Sequence, residues 1–211
     1  MCPQYRKALK EYHSLRDISD ATTTGNSDAV AAALGKVLNE VPRLGYVSLF
    51  PFLLKLIPIV SVEGASHGEI TMDAEISALL GHLGNSSELW SDFGIRSLSK
   101  TDLFYNKGNA PYDQPYWRAP IWMPLNYLVL DALRYYARKL PVENANQGIC
   151  EELYKNLRLN LINNILIKEY TRTGYLWEHY SDAGGDGMRG HPFNGWTSLI
   201  VNVLYEKYIE S

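Results

Sequence analysis

Cysteine is scarce in this sequence, and neither sign of charge dominates it. Only Cys2 and Cys150 occur among the 211 residues, and their positions match no metal-ligand spacing, so we predict no metal site. Whether these two thiols form a disulfide stays open. The net charge of -3 is made up of both signs scattered along the chain, which leaves no basic face for a nucleic acid. A neutral ligand fits this composition better than a charged polymer.

Signals for targeting, membrane insertion and cofactor binding are also missing. Residues 1–6 lack the apolar stretch of a signal peptide. The apolar run at residues 44–62 contains two prolines and a lysine, so we expect a buried helix with proline-marked ends rather than a membrane span. The glycine-rich run at residues 184–187 lacks the lysine and hydroxyl residue that follow a phosphate-binding loop. We therefore predict no cofactor, with calcium binding at Asp186 as an open alternative.

No run alternates β-branched and polar residues in the manner of a strand, so the predicted fold class is all-α. Pro124 in a first turn and Pro141 beyond the end delimit the clearest helix. Residues 86–113 form a long connection with one short helical turn at residues 87–90, and loops of this length are usually functional. The predicted helices are residues 28–41, 50–57, 71–83, 124–140 and 145–170, and a last one after Trp196.

Aromatic side chains near turns are what the chain has in abundance, with 15 Tyr and 5 Trp. Glu178 is the only acidic residue between Tyr170 and Ser181, and aromatic rings lie within three positions of it. Pyranose rings stack on such aromatic faces, and a carboxylate at the edge of an aromatic wall can act as a general acid or base once its pKa is tuned. These residues predict a sugar site. The alternative is that the rings are core and Glu178 is a solvated turn residue.

Several segments resemble the C-terminal part of the catalytic domain of glycoside hydrolase family 63, and they occur in the family's order. The resemblance covers roughly residues 40 to 210. It implies about half of an (α/α)6 toroid whose substrate pocket opens among loops at one end. The segments are LGYVSLFP at 44–51, FGIRSLS at 93–99, PYWRAPIWMPLNY at 115–127, GYLWEHY at 174–180 and GWTSL at 195–199.

The resemblance implies that Glu178 is the general base of an inverting reaction. Inversion also needs a general acid on the opposite side of the glycosidic bond. In the family this acid is an aspartate in an earlier segment, which this chain does not contain. Asp102 and Asp113 lie in the long loop, but the resemblance assigns neither of them that role. The chain alone is therefore expected to be inactive.

The same resemblance implies a set of substrate-binding residues: Trp117, Arg118, Trp122, His191 and Trp196. Each of them also has a structural interpretation. Arg118 could instead form an ion pair under the loop, His191 could fix a turn before proline, and Trp196 could be core. Asn126 orients side chains at the helix start or caps the helix. We expect the tryptophans and Glu178 to converge on one pocket, because each lies at a loop-to-helix junction.

The implied function is an α-glucosidase that removes the terminal glucose from the N-linked oligosaccharide precursor. Residues 1–211 would be the C-terminal portion of one catalytic domain, with residues 1–27 poorly ordered or unrelated to the family. Half a toroid would leave the apolar sides of two helices, marked by Leu133 and Leu161, without partners and would favour association. The remainder of the catalytic domain and a glucosylated high-mannose N-glycan are the expected partners.

The implied location is the lumen of the endoplasmic reticulum, in enzymes usually anchored by a membrane segment that this chain lacks. The glycosylation triplet that begins at Asn85 permits a secretory location without showing one. Two further interpretations stay open: an inactive sugar-binding fragment or paralogue that lacks the general acid, and a helical packing protein without a ligand. The sequence also leaves open whether the chain is a truncated gene product or a true fragment.

Overall fold

The computed structural model of the chain describes residues 43–59 and 72–206. Two predictions fall outside these residues, namely the helix at 28–41 and the disorder or divergence of residues 1–27. Cys2 lies outside them as well. Cys150 is a free, fully buried thiol, and burial raises the pKa of this thiol to about 12.

About half of the described residues are helical and the strands are few and short, which confirms the all-α class. Two hairpins of two-residue antiparallel strands interrupt the helices: β1 Trp90–Ser91 with β2 Gly94–Ile95, and β3 His179–Tyr180 with β4 Gly187–Met188. The helices are α1 Tyr46–Leu53, α2 Met72–Leu83, α3 Met123–Lys139, α4 Ala145–Leu161, a π-helix Ile162–Tyr170, α5 Thr171–Thr173, a 3-10 turn Trp196–Leu199 and α6 Ile200–Tyr205.

The sequence located α3 to within one residue, but two other predictions were wrong in detail. The predicted helix at residues 50–57 begins earlier, because the Ser48 side chain accepts the Gly45 N–H at 3.3 Å and caps the first turn of α1. It also ends earlier, because Lys55 adopts a positive φ of 59°. The predicted helical turn at 87–90 is wrong, because these residues form a non-helical turn that leads into β1. The sequence did not indicate β1, because a strand of two residues carries no periodic signal.

Only one side of α1 is buried, so the apolar run it belongs to is not a fully buried helix. Leu49 and Phe52 lie in the core, whereas Val47 and Leu54 are exposed. Pro51 lies inside α1 rather than marking its end. Within the described residues, no helix is both long and apolar enough to cross a membrane.

The core lies where α3 packs against α4, with α1 on the other side of α3. The expectation that the Leu128 and Leu133 side of α3 and the Leu161 and Ile165 side of the next helix lack partners is wrong for Leu133 and Leu161, which are fully buried, whereas Leu128 is half-buried. Ile165, in the π-helix that continues α4, is fully buried as well. The predicted helix at residues 145–170 therefore has the right extent, but its last part is wider than an α-helix.

Short backbone pairings bring the aromatic and glycine-rich segments together. Isolated bridges join Gly45 to Leu98, Arg96 to Ile121, and Ile121 to Tyr180. The last of these carries two hydrogen bonds, with N···O distances of 2.8 and 3.0 Å. Four segments that are far apart in the chain thus meet beside the start of α3.

Asn126 ties the start of α3 to this meeting point. Its Oδ1 accepts the Ile95 N–H at 2.7 Å, and its Nδ2 donates to the Tyr46 hydroxyl at 3.0 Å and to the Trp122 carbonyl at 2.9 Å. Asn126 is fully buried and lies in the first turn of α3, whereas the N-cap is Trp122. Of its two predicted roles, the orienting role is therefore confirmed and the capping role is wrong.

We expect Asn126→Ala to lower the free energy of unfolding by about 2–4 kcal/mol, because it leaves buried donors and acceptors without partners. Urea unfolding followed by circular dichroism measures this loss. Asn156→Ala is the matched control, since Asn156 is exposed on α4 and should change stability by less than about 0.5 kcal/mol. Equal urea midpoints for the two variants would contradict the role given to Asn126.

Candidate functional site

Glu178 is held at both its backbone and its carboxylate, just before β3. Its N–H donates to the Gly190 carbonyl at 2.9 Å, and its own carbonyl accepts the Trp196 Nε1–H at 2.7 Å. Oε1 accepts the Tyr116 hydroxyl, and Oε2 accepts the Gly190 N–H at 3.3 Å. The carboxylate is partly exposed and has a fixed orientation, so the interpretation of Glu178 as a freely solvated turn residue is wrong.

Tyr116, which the sequence analysis did not select, lies at the centre of the aromatic cluster. Its ring meets Trp122 edge-on at 4.7 Å and His179 edge-on at 5.4 Å between centroids. The Arg189 guanidinium lies 4.9 Å from the centre of the Tyr116 ring. The hydrogen bond to Glu178 raises the pKa of Tyr116, so its hydroxyl stays protonated and acts as a donor. The only sequence signal for Tyr116 was its place beside Trp117.

Three rings form a column under this cluster. Trp117 stacks on Trp122 at 3.8 Å, and Trp122 stacks on His179 at 4.5 Å. Trp122 is 0% exposed, whereas Trp117 is 47% exposed. Of the two predicted wall tryptophans, only Trp117 therefore offers a face to a ligand, and Trp122 supports it from below.

Trp196 joins the same cluster from the C-terminal side. Its ring centroid lies 5.8 Å from that of Trp122, and it is 38% exposed. The structure thus brings Trp117, Trp122, Glu178 and Trp196 together, through direct contacts, at one end of α3.

Arg118 points into the neighbouring loop rather than toward Glu178. Its Nη1 donates to the Gly108 carbonyl at 2.7 Å, and its guanidinium lies 5.1 Å from the centre of the Phe104 ring. The predicted alternative of an ion pair is also wrong within residues 43–59 and 72–206, because the partners found there are a carbonyl and a ring. Arg118 therefore holds the long connection in place.

His191 is exposed and stacks on the outer aromatic residues. Its ring lies 3.8 Å from the Trp177 ring and 5.6 Å from the Tyr175 ring, and its Nδ1 lies 3.1 Å from the Arg189 carbonyl oxygen. The glycine-rich run at residues 184–187 belongs to a hairpin, with β3 and β4 as its two strands. A side chain at Gly187 would begin 2.1 Å from Trp177 Cγ, so only glycine lets these strands approach that ring.

A buried ion pair fixes the turn that follows β3. Arg96 Nε donates to Asp182 Oδ2 at 2.7 Å, and the Tyr105 hydroxyl donates to the same oxygen. Burial and this hydrogen bond raise the pKa of Tyr105 to about 12. Sequence reasoning missed this pair because its two members lie 86 residues apart.

His179 is 0% exposed, and neither of its ring nitrogens has a hydrogen-bond partner among the described residues. Burial lowers the pKa of His179 to about 4, so the imidazole is neutral at physiological pH. A neutral ring can stack under Trp122 without placing a second charge beside Glu178.

The other carboxylates that the sequence offered do not form an acid and base pair with Glu178. Both oxygens of Asp102 accept Arg43 Nη1 at 3.1 Å, which ties Asp102 to the segment before α1. Asp113 is exposed in the long loop. Asp186 pairs with Lys168 at 3.6 Å, and no group of potential metal ligands occurs among the residues that the structure describes.

Comparison with known proteins gives consistent results over most of the chain. Residues 14–206 match the Glycosyl hydrolase family 63 C-terminal domain. The mannosyl-oligosaccharide glucosidase of Arabidopsis thaliana is 39% identical over 171 residues, which are 81% of this chain and 18% of the relative. The mannosyl-oligosaccharide glucosidase of Saccharomyces cerevisiae is 38% identical over 161 residues, which are 76% of this chain and 17% of the relative.

Among solved structures, the family 63 mannosylglycerate hydrolase from Thermus thermophilus is 18% identical, with a TM-score of 0.43. The match covers 78% of this chain and 32% of that protein. The chain thus spans about a fifth of the length of its curated relatives. From the match over residues 14–206 and the identity to these glucosidases, the chain belongs to glycoside hydrolase family 63.

Proposed function

We propose that residues 1–211 are the C-terminal portion of the catalytic domain of an inverting α-glucosidase, with Glu178 as its general base. The observation that carries this proposal is the Glu178 carboxylate, which two donors orient at the edge of a wall of aromatic rings. Two of the four lone-pair positions on the carboxylate remain to accept a proton from water. An oriented, ionised carboxylate beside stacking surfaces is what an inverting glycosidase needs.

In the proposed reaction, Glu178 accepts a proton from water while the water oxygen bonds to the anomeric carbon. The glycosidic C–O bond breaks, and a general acid protonates the leaving oxygen. Asp102 is committed to Arg43. We place the acid in an earlier segment of the domain, as the resemblance to the family implies. The remainder of the catalytic domain is therefore a required partner.

The binding residues divide into two groups under this proposal. Trp117 and Trp196 present partly exposed faces for sugar rings, and His191 offers an exposed imidazole to a hydroxyl group. Trp122 and Arg118 support the site without contacting the sugar. Trp122 stacks under Trp117, and Arg118 holds the long loop through the Gly108 carbonyl.

The identity to two mannosyl-oligosaccharide glucosidases supports a finer proposal about the substrate and the place of action. The substrate would be the glucosylated high-mannose N-glycan, from which the terminal glucose is removed during N-glycan processing. The lumen of the endoplasmic reticulum is the proposed location. The net charge of -3 also suits a neutral oligosaccharide.

An inactive sugar-binding fragment or paralogue is the second candidate. It is supported by the same aromatic wall, because stacking faces bind a sugar ring whether or not a general acid is present. The two candidates differ in one measurable property, which is whether the segment supports turnover when the rest of a catalytic domain is supplied.

That measurement uses a graft in which this chain replaces the aligned segment of the Saccharomyces cerevisiae mannosyl-oligosaccharide glucosidase. We expect the graft to hydrolyse a glucosylated oligosaccharide and Glu178→Gln to abolish its turnover. The amide keeps the size and most of the hydrogen bonding of the carboxylate but cannot take a proton, so kcat should fall while binding stays nearly intact. Initial rates at several substrate concentrations separate kcat from KM.

Glu75→Gln is the matched control for this variant, because Glu75 is exposed on α2. It should leave both kinetic constants unchanged. If Glu178→Gln kept kcat within about threefold and raised KM instead, Glu178 would be a binding residue and not the base. A graft that binds the oligosaccharide without any turnover would favour the inactive sugar-binding protein.

Trp196→Ala in this chain should weaken the binding of methyl α-glucoside by about tenfold, because it removes a stacking face worth roughly 1 kcal/mol or more. Shifts of the indole N–H signals in two-dimensional NMR report the binding. Tyr112→Ala serves as the control, since Tyr112 is fully exposed in the long loop. If the two variants bound methyl α-glucoside with equal affinity, Trp196 would not be part of the binding surface.

A further inference from the structure

Tyr116 is the one side chain among the described residues that donates a hydrogen bond to the Glu178 carboxylate. The two residues lie 62 positions apart, so the tertiary fold alone creates this contact. No step of the proposed reaction has used the hydroxyl group so far. We infer that Tyr116 is a positioning residue that holds the Glu178 carboxylate turned toward the attacking water; the inference rests on the proposed role of Glu178.

The ring of Tyr116 is held by edge-on contacts with three neighbouring rings. It meets Trp122 at an interplanar angle of 88°, Trp117 at 79° and His179 at 83°. Its backbone carbonyl accepts the Trp122 Nε1–H at 2.9 Å, which fixes the main chain at the same point. Contacts on several sides of the ring therefore set the direction of the O–H group before any substrate arrives.

The charges around the pair support a donor role for the hydroxyl. The Arg189 guanidinium lies over the Tyr116 ring at 4.9 Å, and the neighbouring imidazole of His179 is buried and neutral. A hydroxyl that donates to a carboxylate favours the ionised form over the protonated form. Without that donor, the carboxylate of Glu178 would keep only the 3.3 Å contact from the Gly190 N–H.

A structural role and a positioning role give different results when the hydroxyl alone is removed. Tyr116→Phe keeps the ring, and with it the contacts to the two tryptophans and to His179. If Tyr116 had a purely structural role, the variant would keep nearly all of its activity. If Tyr116 positions the base, the activity falls although the wall of rings stays in place.

We expect Tyr116→Phe, in the same Saccharomyces graft, to lower kcat by about tenfold and to change KM by less than about twofold. The acidic limb of the pH profile of kcat/KM should move to higher pH, because a less stabilised carboxylate is protonated earlier as the pH falls. Tyr112→Phe is the matched control, since Tyr112 is 105% exposed, and it should leave the rate and the profile unchanged.

Replacing Tyr116 by 3-fluorotyrosine keeps the hydroxyl and makes it a stronger donor. This variant should move the acidic limb in the opposite direction, to lower pH, and it covers the case in which Tyr116→Phe does not fold. If neither variant moves the limb while Glu178→Gln abolishes turnover, the inference about Tyr116 is overturned and the proposed function stands. If Glu178→Gln leaves kcat unchanged, the proposed function fails first.

Discussion

The pairing of Ile121 with Tyr180 is the constraint on which the site depends. Two backbone hydrogen bonds of 2.8 and 3.0 Å join the aromatic block before α3 to the segment that carries Glu178. Because these bonds use main-chain atoms, they fix the register of both segments regardless of their side chains. Tyr116 and Glu178 lie close to this pairing on their respective segments, and their contact follows from it.

Burial of the supporting rings gives this arrangement its rigidity. Trp122 has no exposed surface, and it is clamped between Trp117 above and the neutral imidazole of His179 below. Close packing leaves few alternative rotamers for the buried rings, and this fixes the position of the exposed rings that pack on them.

Under the proposed function, the chain supplies the general-base side of an inverting site, and the general acid lies in another part of the domain. The chain spans about a fifth of the length of its relatives and carries the segment with Glu178 together with its wall of rings. Two other aspartates of the described residues form ion pairs, since Asp102 binds Arg43 and Asp182 binds Arg96. A carboxylate held in an ion pair with an arginine is stabilised in its ionised form and is therefore a poor proton donor to a leaving group.

The sequence alone determined the features that depend on local spacing. Prolines on either side delimited α3, and the isolation of Glu178 among rings indicated a sugar site. Only the tertiary structure decided which ring faces a ligand and which is buried, as Trp117 and Trp122 show. It also decided that Arg118 holds a loop carbonyl and that Tyr116 meets Glu178. These contacts join residues far apart in the chain, and no local pattern encodes a distance between segments that meet only when the core packs.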